Sequence, residues 1–110
     1  MMSDLIPSLY PNLSSLLTAI KKRPAMFLTS KSVESLSSFI NGIQFAEAFH
    51  NIESSKQFCD FDFTTFEEWV NQTFNTHSLT LNSFGLAVYL SGTDHKGFDQ
   101  WFTWYETFTS

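Results

Sequence analysis

Phe98, Trp101, Phe102, Tyr105 and Phe108 fall three or four positions apart near the end of the chain, the recurrence that puts side chains on one face of an α-helix. Rings of this kind each bury roughly 150–250 Å² when they pack, so a stripe of five requires an opposing apolar wall. The remaining sequence supplies one: 110 residues hold 13 Phe, 3 Trp and 3 Tyr and are 43% hydrophobic. That is enough to order one core and too short for two, so residues 1–110 read as a single domain.

The upstream segments carry the same period. Leu13, Leu16, Leu17 and Ile20 form a helical face that Lys21, Lys22 and Arg23 close with positive charge, and Pro24 ends it. Val33, Leu36, Phe39, Ile40, Ile43, Ala46 and Phe49 predict a longer helix to about residue 50, after the capping oxygens of Thr29, Ser30 and Ser32. Gly42 within it costs about 1 kcal/mol relative to Ala, which suggests that another helix approaches closely there. Residues 51–63 lose the period and read as a loop tacked down by Phe58, Phe61 and Phe63.

Thr64 with Glu67 and Thr65 with Glu68 form overlapping capping boxes, predicting a helix over about 65–75. In 79–91, Phe84, Leu86, Val88 and Leu90 alternate as in a strand, while Leu86, Tyr89 and Leu90 also suit a helix. Helix is the reading, because nothing else would pair with a lone strand. A cap at Thr93 or Asp94 then opens the aromatic helix. The expected fold class is all-α, four to five helices around an aromatic core.

Charge separates the two parts of the chain. Residues 1–40 hold four basic and two acidic side chains, net +2; residues 41–110 hold two basic and nine acidic ones, net −7, giving the overall −5. An acidic surface repels phosphate backbones and favours cationic partners, so direct nucleic-acid binding is not expected. The start, Met1-Met2-Ser3-Asp4-Leu5-Ile6-Pro7, lacks a basic, then apolar, signal segment, and no apolar run approaches the roughly 18 residues of a membrane span. With one cysteine, Cys59, the chain reads as cytoplasmic.

Chemistry-bearing residues are few. Asp60-Phe61-Asp62 matches no calcium-loop or diiron spacing, and His50, His77 and His95 form no zinc pattern with Cys59. No metal or cofactor is expected. The four scattered glycines make no phosphate loop. Cys59, His50 and Asp60 hold the ingredients of a nucleophilic triad, but a buried thiol is the commoner state, so the chain is not expected to be an enzyme. Glu53, Asp60, Asp62, Glu67 and Glu68 concentrate five carboxylates and one lysine in sixteen residues. They are either a solvated surface with capping glutamates or a face that binds a cationic partner.

Lys22-Arg23-Pro24-Ala25-Met26-Phe27-Leu28, then Ser32-Val33-Glu34-Ser35-Leu36 and Phe39-Ile40-Asn41-Gly42, resemble the immunity proteins of bacterial polymorphic-toxin and contact-dependent growth inhibition systems. Those share Arg-Pro-x-Met-Tyr/Phe, Ser-x-x-x-Leu and Phe-Leu-x-Gly with an aromatic C-terminal helix. The likeness covers residues 21–46 and, more loosely, 98–108; the acidic middle has no counterpart. The resemblance implies a cytosolic inhibitor that blocks the active site or substrate path of a cognate toxin domain, a basic nuclease and first of all a ribonuclease. It also implies structural roles for the motif: Pro24 ends a helix, Met26 and Phe27 turn inward, and Arg23 caps carbonyls. The alternative is a small helical structural or regulatory module, or a homodimer, without a toxin partner.

Overall fold

A computed structural model describes residues 10–49 and 58–110. Six helices occupy these residues, α1 Leu13–Lys22, α2 Pro24–Phe27, α3 Val33–Phe49, α4 Phe63–Phe74, α5 Ser83–Ser91 and α6 Asp94–Thr109, with no strand among them. The fold is all-α. It has one helix more than expected, because Pro24 ends α1 and also supplies the first position of the single turn α2, where its fixed φ and missing N–H do no harm.

In α1, Ser15 N–H donates to Asn12 Oδ1 at 2.9 Å and Asn12 N–H to Ser15 Oγ, and Leu13, Leu16, Leu17 and Ile20 are buried as their spacing requires. Phe27 meets the Tyr10 ring edge-on at 5.7 Å. Met26, expected to turn inward, is 54% exposed. In a four-residue turn that ends as Leu28 enters the core, Met26 falls on the outer side. The Arg23 side chain is exposed as well, with no hydrogen bond among the described residues.

The inner row of α3 is Val33, Leu36, Ile40 and Glu47, with Phe39 and Ile43 partly buried. The expected stripe fails in the last two turns, where Ala46 and Phe49 face outward. Steps from 36 to 40, 43 and 47 keep one face of the helix toward the core, whereas 46 and 49 rotate off it. Gly42 is exposed and a Cβ there would meet nothing. The close approach lies instead at Gly97 on α6, where a Cβ would stand 3.1 Å from the Val88 Cα and 3.0 Å from Val33 Cγ2.

α4 begins two residues before its expected start. Asp62, not a threonine, is its cap: Thr65 N–H donates to Asp62 Oδ1 at 3.1 Å and Thr65 Oγ1 to Oδ2 at 2.7 Å. α5 is a helix, as read, but it starts at Ser83 on the Asn82 cap and stops at Gly92, whose φ of +92° suits glycine. In α6, capped by Thr93, the aromatic stripe is buried through Tyr105 and is joined by Trp104. Phe61 anchors the incoming loop beneath it, with ring centroids 5.0 Å from Tyr105, 5.3 Å from Phe66 and 5.8 Å from Phe108. No helix among the described residues is long and apolar enough to cross a membrane.

Candidate protein-docking face

Glu47 occupies an inward position on α3 and is only 8% exposed. A buried carboxylate is costly unless it is hydrogen-bonded; here Oε1 accepts the Cys59 N–H at 2.9 Å. That bond ties the end of α3 to the segment entering α4. On the outer side of the same turns the Phe45 and Phe49 rings stack with centroids 6.1 Å apart, and they are 71% and 73% exposed.

A trough runs between α3 and α4. At one end Asn41 and Gln44 face Glu67, Asn71 and residues 79–82; at the other Gln44, Glu47 and Ala48 face Cys59, Phe61, Asp62 and Thr64. Gln44 and Phe63 line both ends. Glu47, Asp62 and Glu67 contribute carboxylates to it, and no Lys, Arg or His among the described residues lines it.

Of the five carboxylates expected to form a face, the four among the described residues share no hydrogen-bond partner. Glu53 lies outside the described residues. Asp60 accepts the Ser14 N–H at 3.0 Å and the Ser14 hydroxyl at 3.1 Å, satisfying the first turn of α1 from the opposite side of the loop. Asp62 caps α4; the Thr65 hydroxyl and then its amide hold the Asp62 carboxyl below the ordinary carboxylate range. Glu67 turns inward, accepting the Ser83 N–H at 2.6 Å and the Ser83 hydroxyl, and Ser83 Oγ in turn accepts from Trp101 Nε1 at 2.9 Å. Glu68 is exposed and makes no hydrogen bond among the described residues. Thus Asp62 and Glu67 line opposite ends of the trough, Glu47 stands at the Asp62 end, and Asp60 and Glu68 line neither end.

Glu47 and Phe45 were missed in the sequence. The available signal was a charged residue at the helical phase of Ile40 and Ile43 next to an aromatic at the opposite phase. Cys59 is half-buried; burial above all pushes its thiol above the ordinary value, a backbone hydrogen bond with Phe61 opposes this, and the Glu47 and Asp60 charges add smaller increases. That environment disfavours the thiolate a nucleophile needs. His50, the other member of the sequence constellation, lies outside the described residues. Among those residues no three His, Cys, Asp or Glu side chains stand together as a metal set. No protein-family model, curated protein or solved structure was found to match this chain.

Proposed function

We propose that the chain is an immunity protein that binds a cognate toxin domain, a basic nuclease and first of all a ribonuclease, and shields its active site or substrate cleft. This reading assigns a binding role in the cytoplasm and no reaction. The observation that carries it is the trough between α3 and α4, lined by three carboxylates without a cation among the described residues, while α3 also carries the exposed Phe45 ring on its outer side. An acidic concavity and an exposed aromatic on one helix are features that a cationic protein surface can use. The Arg23-Pro24-x-Met26-Phe27 resemblance supplies the toxin as the partner. Inhibition before self-poisoning needs affinity on the order of nanomolar, about −12 kcal/mol.

The test is whether a toxin domain is encoded next to this gene and co-purifies with the protein, followed by association kinetics at two salt concentrations. Because opposite fields act mainly on encounter and are screened beyond about 8 Å at physiological salt, association should slow as salt rises. Glu68→Lys is the clean charge reversal, since Asp60 and Asp62 cap helices and their reversal would disturb the fold. Phe45→Ser should speed dissociation. Failure of the adjacent toxin to bind, with salt-independent association of any partner that does, would remove this reading.

A second reading, a homodimer joined through α3, is favoured by the same exposed Phe45. Sedimentation equilibrium separates the two: a concentration-dependent dimer broken by Phe45→Ser would favour it.

A further inference from the structure

We propose that the end of the trough formed by Gln44 and Glu47 of α3 and by Cys59, Phe61, Asp62 and Phe63 is a receptor for an arginine side chain of a protein partner. The inference rests on the binding role proposed above and names the chemistry of the group received. Glu47 is buried with one oxygen occupied by the Cys59 N–H, and it lines the pocket without a second hydrogen-bond partner among the described residues. Asp62 stands at the same pocket and keeps its charge, its carboxyl held low by Thr65. Two negative groups therefore share one concavity, and no cation among the described residues answers them.

The apolar lining selects the kind of cation. Phe61 and Phe63 line the pocket, their rings edge-on to each other at 4.8 Å. A guanidinium is planar, weakly hydrated, stacks on aromatic faces and donates a fork of N–H groups to carboxylates, whereas an ammonium is a strongly hydrated point charge. Gln44, which also lines the pocket, carries an amide oxygen that can accept from the remaining donors. An arginine inserted here would donate to the Glu47 carboxylate and lay its plane against an aromatic ring.

The experiment needs no toxin. The full-length protein, labelled with ¹⁵N, is titrated with N-acetyl-arginine methylamide, and in parallel with the lysine and citrulline analogues, while backbone amide resonances are followed. Saturable shifts confined to residues around Gln44, Glu47, Cys59 and Asp62 are expected with the arginine compound, with weaker lysine binding and no citrulline binding. Glu47→Gln retains an oxygen acceptor for Cys59 N–H, so it should fold as the parent and weaken arginine binding by at least about fivefold, the upper end for an exposed ion pair. Phe63→Leu keeps the pocket apolar and should reduce the preference for arginine over lysine.

Shifts that are scattered or non-saturating would overturn the site, as would Glu47→Gln binding like the parent. Equal binding of lysine would overturn the assignment to arginine. A saturable site with no toxin partner found would leave this inference standing and remove the immunity reading; the reverse pattern would remove only the inference.

Discussion

The Ser83 N–H donates to Glu67 Oε2 at 2.6 Å, so a carboxylate on one helix satisfies the first turn of another. The Ser83 hydroxyl donates to the same carboxylate, and Trp101 Nε1 donates to that hydroxyl at 2.9 Å inside the core. Asp94 acts in the same manner on α3, taking the Val33 and Glu34 amides from sixty-one and sixty residues away. Asp60 does so on α1 through Ser14. Three of the helix N-termini are thereby tied to distant parts of the chain, which couples local helix formation to tertiary packing.

Glu67→Ala should cost about 2–3 kcal/mol, because it strands the Ser83 amide and removes a charged acceptor from a buried network. Glu68→Ala should stay within about 0.5 kcal/mol, as expected of an exposed position without partners. Urea midpoints of the two variants make the comparison; equal shifts would contradict the inward role of Glu67.

Asp94→Ala should destabilise by about 1–2 kcal/mol, since α3 loses the acceptor of its first amides and a negative charge at the positive end of its dipole. Asp94→Asn keeps the acceptor oxygen and should lose less. Thermal unfolding followed by circular dichroism reads both, and an Ala variant as stable as the parent would show the contact to be dispensable.

Two glycines should respond in opposite directions. Gly42→Ala fills open space on an exposed helix and should stabilise by about 0.5–1 kcal/mol. Gly97→Ala drives a methyl against the Val88 backbone and Val33 and should cost about 1–3 kcal/mol from overpacking. Denaturant melts of the two single variants check the signs.

Asp62 gives a pH dependence. Its folded-state pKa lies below the unfolded one because Thr65 hydrogen-bonds the charged form; its contribution is therefore full above the unfolded carboxylate range and is lost as pH falls through the folded value. Asp62→Asn should lose less stability than the parent on acidification from about pH 5 to 2. Parallel acid-induced losses in both proteins would show that Asp62 does not contribute.

Cys59 should be a slow thiol. Burial, then the Glu47 and Asp60 charges, favour its neutral form, so an aromatic disulfide reagent at about pH 8, near the ordinary thiol range, should react more slowly with the native than with the denatured protein. The unfolded chain ionises first as pH rises, so this group also weakens the fold toward alkaline pH. Equal reaction rates in both states would indicate an open, ionised thiol.

The aromatic stripe from Phe98 to Phe108, the α1 face of Leu13 to Ile20 and the stop at Pro24 were legible in the sequence, because spacing along a helix depends only on its own geometry. The helix within 79–91 was legible in outline, although neither its first residue nor its Asn82 cap was. What the sequence left open was everything set by a second segment. Thr64 and Thr65 looked like caps, yet Asp62 took that role once Phe61 was drawn under Tyr105 and Phe66. Gly42 looked like a contact point, and the contact formed at Gly97, where α5 crosses α6. The carboxylates looked like one face because they are neighbours in sequence, but Asp60, Asp62 and Glu67 each take an unsatisfied amide, and those lie at the starts of α1, α4 and α5. Local periodicity determined which residues are helical and which side of each helix is apolar; the packing of one helix against another decided which charges were spent inside the fold and which, with Glu47 among them, line the trough.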